Sequence, residues 1–129
     1  MRRLIALFLL LLGTAPAAFA QSVVKTENVR AELLSEMATV KAGEPFWVAL
    51  GETIRQGWHT YWKNPGDAGQ PTEIQWTLPP GGKAGPIVWP APSLYDLSGV
   101  INYGYQDDVL LMVQITPPSD YRDGALRLD

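Results

Sequence analysis

The 129-residue sequence contains no cysteine. Disulfide staples, thiolate metal sites and cysteine nucleophiles are therefore absent from this chain. Histidine is nearly absent too: His59 is the only one. A transition-metal site built on it would have to recruit carboxylates or the thioethers of Met37 and Met112, and their scattered spacing gives no such set. Basic residues are few, with 10 Lys and Arg against 13 Asp and Glu. Without a basic stripe, nucleic acid and anionic lipid are poor partners. The serines Ser22, Ser35, Ser93, Ser98 and Ser119 sit in no G-x-S-x-G context. Gly81-Gly82-Lys83 lacks the spacing and the following helix of a phosphate loop. Asp107-Asp108 is a carboxylate pair, but neighbouring strand residues point to opposite faces, so it is read as a solvated turn. No catalytic, cofactor-binding or metal-ligating residue is expected.

The first twenty residues are read as a leader, not as fold. Arg2 and Arg3 form a short basic region and Ile5 to Leu12 an apolar run. That run is too short to span a bilayer comfortably. Ala18-Phe19-Ala20 supplies a small-residue cleavage site, so residues 1–20 are a signal peptide and 21–129 the exported domain. This pattern implies bacterial export to the periplasm.

What is plentiful is aromatic and strand-forming. The five Trp, five Tyr and Phe46 give a small domain a large apolar area to bury without staples. Val29 to Leu33 alternates, Lys41 to Pro45 reads as a turn, and Phe46 to Leu50 fits a strand buried on both sides. Trp58 to Trp62 is an aromatic strand stopped by Asn64-Pro65-Gly66. Glu73 to Leu78 alternates with Ile74, Trp76 and Leu78 on one face. Ile87 to Trp89 and Val109 to Ile115 follow, each bounded by proline, and Ala125 to Leu128 begins another strand. Of the 11 prolines and 12 glycines, most fall between these segments. The expectation is an all-β antiparallel sandwich, with a small barrel as competitor. Leu126 and Leu128 alternate as core-facing residues should, which suggests that the chain is the front part of a longer polypeptide.

The aromatic side chains admit two uses. On an open sheet face they would stack on sugar rings; as Trp62, Trp76 and Trp89 they would build a core, the favoured reading because they share faces with Ile74, Leu78 and Ile87. The segment Leu94-Tyr95-Asp96-Leu97-Ser98-Gly99 lacks alternation and shows apolar side chains in a loop. It is either a cover over a site or partner surface, or a connector folded back on the sandwich.

The run Gly57-Trp58-His59-Thr60-Tyr61-Trp62-Lys63-Asn64-Pro65-Gly66-Asp67-Ala68-Gly69 resembles the hallmark of the periplasmic N-terminal domain of the DsbD/ScsB-type thiol:disulfide interchange proteins. Pro71-Thr72, Trp76, Leu78-Pro79, Gly85-Pro86-Ile87-Val88-Trp89-Pro90, Tyr103-Gly104-Tyr105 and Val109 to Ile115 with Pro117-Pro118 agree in order, so the resemblance covers roughly Val29 to Asp129. It implies an immunoglobulin-like β-sandwich fused to a membrane-embedded electron-transfer domain, and often to a thioredoxin-like domain. The parent would be an inner-membrane protein-disulfide reductase that relays reducing equivalents to periplasmic thiol–disulfide partners, with copper tolerance associated with the ScsB branch. The family carries a cysteine pair near the end of this domain, which this chain lacks. The absence reads better as truncation before the pair than as its loss, and this chain alone is not expected to be catalytic. By the same resemblance Leu94, Tyr95 and Leu97, with Tyr103 and Tyr105, correspond to a cap that shields the cysteines and meets partners. The alternative is a non-redox protein- or carbohydrate-binding sandwich.

Overall fold

The computed structural model describes residues 23–122. The leader at 1–20 and the strand expected over Ala125 to Leu128 lie outside the described residues. Eight strands follow in chain order: β1 (Val23–Lys25), β2 (Val29–Ser35), β3 (Phe46–Ile54), β4 (Thr60–Gly66), β5 (Lys83–Ala84), β6 (Ser93–Leu97), β7 (Val100–Tyr105) and β8 (Asp108–Thr116). Among the described residues there is no helix. The strands form a five-stranded sheet of order β1-β2-β3-β8-β5 and a three-stranded sheet of order β4-β7-β6. All six pairings between these strands are antiparallel.

The alternation along β8 shows why the two layers meet. Val109, Leu111, Val113 and Ile115 are buried, while Asp108, Leu110 and Gln114 are exposed. Opposite them on β3, Phe46, Val48 and Ile54 turn inward. Two clusters result. Phe46, Val48, Val113 and Ile115 are covered by Leu33, Val40, Ile74, Trp76, Leu78 and Ile87. Ile54, Tyr105, Val109 and Leu111 are covered by Leu50, Trp62, Ile87 and Trp89. The second cluster joins the sheets, because Tyr105 and Trp62 come from β7 and β4. Trp62, Trp76 and Trp89 are thus core residues, as expected.

Five expectations need correction. β3 does not stop at Gly51 but runs on to Ile54, held in register by β8 from Phe46↔Ile115 to Thr53↔Asp108. The aromatic strand starts at Thr60, not Trp58. Gly57 (φ 84°) closes a turn in which the Trp58 amide donates to the Arg55 carbonyl at 2.9 Å, and Trp58 is left 51 % exposed. Asn64-Pro65-Gly66 does end that strand, but as its last three residues and not as a turn beyond it. The β4–β7 register breaks between Tyr61 and Gly66, and such an irregularity is where a strand tolerates a proline that has no N–H for the ladder. Finally, Glu73 to Leu78 keeps its predicted alternation, with Ile74, Trp76 and Leu78 half-buried, but joins no ladder. Flanked by Pro71 and Pro79-Pro80, it lies across the inner face of the large sheet instead of along an edge. Ile87 to Trp89 is reduced to a single bridge between Val88 and Met112.

Candidate functional site

The segment expected to be an irregular loop is a β-hairpin. β6 pairs with β7 through Ser93↔Gly104, Leu94↔Tyr103, Tyr95↔Asn102, Asp96↔Ile101 and Leu97↔Val100. Ser98 (φ 59°) and Gly99 (φ 89°) form the two-residue turn, and both positive φ values match the twist that short hairpins require. The Gly99 amide donates to Asp96 Oδ1 at 2.7 Å and tightens it. Serine-glycine is a turn signal. The strand signal was faint because β6 is an edge strand, exposed along most of its length, so burial leaves no alternation in its sequence.

This hairpin separates the five expected cap residues. Tyr95 and Leu97 lie on the outward face of the small sheet, Leu94 and Tyr103 on its inward face, since successive side chains alternate. Leu94 is 57 % and Leu97 52 % exposed at the free edge. Tyr103 is half-buried with its ring edge against Trp62, centroids 6.3 Å apart. Tyr105 belongs to the core: it is buried, and its hydroxyl donates to the Pro90 carbonyl at 2.8 Å. Burial first, and then the nearby Glu52 carboxylate, push its phenol above the ordinary 10.0.

The outward face brings Tyr95 together with His59 and Tyr61, to which the sequence gave no site role. Tyr95 stacks on the His59 imidazole at 4.9 Å with 22° between planes. Tyr61 meets the same imidazole edge-on at 5.0 Å. His59 thus sits between two phenol rings, with its Nε2 buried and without a hydrogen-bond partner. Below this tier the Pro65 to Gly69 loop is tied to β7. Asn102, only 2 % exposed, donates through Nδ2 to the carbonyls of Pro65 at 3.1 Å and Ala68 at 2.6 Å. Asp67 accepts from the Ile101 amide through Oδ2 and donates its own amide to the Ile101 carbonyl, both at 2.8 Å. Gly69 (φ 97°) lies against the Tyr61 ring so closely that a Cβ there would enter the ring. The motif from Gly57 to Gly69 is therefore a clamp: one end supplies His59 and Tyr61 to hold Tyr95, and the other fixes β7. The asparagine-aspartate spacing that makes this clamp gave no signal, because its partners Ile101 and Asn102 lie more than thirty residues away in the chain.

A second polar group is buried between the sheets. Glu52 is 5 % exposed, accepts from the Thr72 hydroxyl at 2.9 Å through Oε1, and its Oε2 has no partner. Its neighbours tie segment 71–78 to the sandwich and show no nucleophile. Among the described residues Trp58 is the one tryptophan that is more than half exposed. What the arrangement offers is an apolar-tipped hairpin backed by an aromatic clamp.

Comparison with known proteins gives the following. Residues 25–129 match the family described as "Thiol:disulfide interchange protein DsbD, N-terminal". Comparison with curated proteins finds no match. Among solved structures, the N-terminal periplasmic domain of ScsB from Proteus mirabilis is similar, with a TM-score of 0.61 and 22 % sequence identity. The match covers 78 % of this chain but 40 % of that one, so the chain spans well under half the length of the solved relative. The likeness establishes the shared fold, an open immunoglobulin-like β-sandwich, as the sequence had suggested.

Proposed function

Because the chain belongs to the DsbD N-terminal domain family and carries none of that family's cysteines, we propose that it is a periplasmic module of a thiol:disulfide interchange protein in which it supplies docking and shielding, not the exchange itself. The observation that carries this reading is the hairpin β6–β7, whose Tyr95 is held on His59 while Leu94 and Leu97 stay exposed at the free edge. Such a hairpin can cover a reactive sulfur and present an apolar edge to a partner.

In the relay, a cysteine thiolate attacks a partner disulfide, a mixed disulfide forms, and a second thiol resolves it; two electrons pass from the dithiol to the partner. Both sulfurs must come from outside these 129 residues. The electron donors and acceptors in this reading are a membrane-embedded domain and a thioredoxin-like domain of the same inner-membrane polypeptide, together with periplasmic thiol–disulfide proteins. An apolar lid makes chemical sense there, because exchange rate depends on access as well as on thiol pKa.

The test uses the 129-residue chain and the product of the complete reading frame side by side. The short chain is expected to give no turnover in reduction of a small disulfide, and the complete product to turn over. Tyr95→Ala in the complete product is expected to speed oxidation of its cysteines by small disulfides while leaving the melting temperature nearly unchanged. Turnover by the short chain, or a complete product without reductase activity, would contradict the proposal.

A further inference from the structure

Basic residues are scarce in this chain, 10 Lys and Arg in all, yet three of them converge at one end of the large sheet. Lys25, Arg30 and Arg55 line a groove of about 230 Å³ between the β1–β2 turn and the end of β3. The register shows how crowded they are. Lys25 on β1 pairs directly with Arg30 on β2, and Arg30 with Thr53 on β3. Like charges set opposite one another across a ladder are destabilising. Carboxylates offset them only in part. Glu32 occupies one nitrogen of Arg30, Nη2, at 2.8 Å. Glu27 approaches Arg55 at 3.5 Å, but both side chains are mostly exposed, where such a pair contributes little. Among the described residues Lys25 has no carboxylate partner. Asp108 ends the Lys25-Arg30-Thr53 row on β8 and does not line the groove.

The backbone of the groove is held by its own hydrogen bonds. Thr26 closes the β1–β2 turn: its amide donates to the Val29 carbonyl at 2.9 Å, and its hydroxyl oxygen accepts from the Asn28 and Val29 amides at 3.4 and 3.0 Å. The Arg55 amide donates to the Asn28 carbonyl at 2.8 Å and ties the end of β3 to that turn. A wall already ordered loses little freedom when a ligand arrives.

We propose that this groove binds a small oxyanion of the class of inorganic phosphate and soluble phosphate monoesters. The Lys25 ammonium, the remaining nitrogens of Arg30, the Thr53 hydroxyl and the Arg55 guanidinium are its donors. A guanidinium fork matches two oxygens on one phosphorus. Three cations against the single carboxylate of Glu27 suit a doubly charged ligand. The volume suits a phosphate with some water, since each water takes about 30 Å³ in the liquid. A lipid headgroup carries the same phosphate chemistry, so the test separates the two sources. The site takes no part in the disulfide exchange proposed above and does not depend on it.

The test follows backbone amide resonances of the 129-residue chain as chloride is replaced by inorganic phosphate at constant ionic strength. The Lys25, Thr26, Asn28 and Arg55 amides are expected to shift along a curve that saturates below about 30 mM, as millimolar affinity requires. Val100 and Ile101 in the hairpin are expected not to move. Lys25→Gln and Arg55→Gln should each weaken binding about fivefold, the effect of one exposed unit charge. Both are surface substitutions, so each should keep the melting temperature within about 4 °C of the parent. Lys83→Gln, an exposed lysine on β5, should leave binding unchanged. Shifts that grow linearly with phosphate, or that survive when Lys25→Gln and Arg55→Gln are combined, would overturn the site. For the source, glycerol phosphate is expected to compete with inorganic phosphate, and phosphatidylglycerol vesicles to leave the chain in the supernatant. Sedimentation with those vesicles, abolished by the combined substitutions, would overturn the proposal by giving the groove to a lipid surface.

Discussion

At the scale of single residues, the molecule depends on a few side chains whose partners are distant in sequence. Asn102 is the clearest. Its amide holds the carbonyls of Pro65 and Ala68 in a place with almost no solvent. Asn102→Ala leaves both carbonyls without that donor, and leaving a buried acceptor unpaired costs about 1–3 kcal/mol. For a domain of this size each kcal/mol moves the melting temperature by about 4–8 °C. A thermal shift of that order, measured by circular dichroism, is the expected outcome, and an unchanged melting temperature would reject the clamp. Tyr105 offers a second test, through pH. Burial and Glu52 keep its phenol protonated in the fold beyond the ordinary 10.0. In the unfolded chain the phenol ionises near about 10. Its contribution is therefore complete below that pH and is lost as pH rises from there through the folded value. Tyr105→Phe should lose about 0.5–1.5 kcal/mol at neutral pH with the bond to Pro90, and should then lose less than the parent between about pH 9 and about pH 11 in denaturant titrations. These roles were hidden in the sequence. Tyr95, Tyr103 and Tyr105 looked like one aromatic group, but alternation sends Tyr95 to the outer face and Tyr103 and Tyr105 to the inner one, where Tyr103 stays half-buried and Tyr105 is buried.

At the scale of elements, strands were legible where burial on one side forces a period of two. β2 was visible through the alternation of Val29 to Leu33, and so was segment 73–78, whereas β8 was visible as a long apolar run stopped by Pro117-Pro118. Legibility failed where no such pressure acts. β6 is an edge strand with both faces largely open, so Ser93 to Leu97 reads as a loop in one dimension. The end of β4 was legible in Asn64-Pro65-Gly66, but that these residues belong to the strand was not: Pro65 normally stops a ladder, and the displaced register there removes the need for its N–H. The hairpin turn also carries its own prediction. Ser98 holds φ 59°, a region that asparagine tolerates better, ahead of Gly99. Ser98→Asn should stabilise the hairpin by a few tenths of a kcal/mol, whereas Gly99→Ala at φ 89° should destabilise it by about 1 kcal/mol. Hydrogen exchange at the Val100 and Ile101 amides should slow in the first variant and quicken in the second, with β8 amides unaffected in both. Equal changes along β8 would mean that the hairpin does not open as a separate unit.

At the scale of the whole molecule, fold class and family were accessible before any coordinates, because turn chemistry, strand spacing and the run from Gly57 to Gly69 all pointed one way. What that run does was not accessible. It looked like an aromatic strand with a sharp end, and it proves to be a clamp joining the two margins of the small sheet. Its tightest contact has a spectroscopic consequence. Because the Gly69 backbone lies against the Tyr61 ring, one of its α-protons sits in the ring current of that phenol. In a proton–carbon correlation spectrum this resonance should appear upfield of the ordinary glycine range. Tyr61→Leu should return it to that range, and an ordinary shift in the parent protein would show that the contact is not populated in solution. The signal needs no label beyond isotopes and no substrate. It turns a residue with no side chain into a reporter of the clamp's tightest contact.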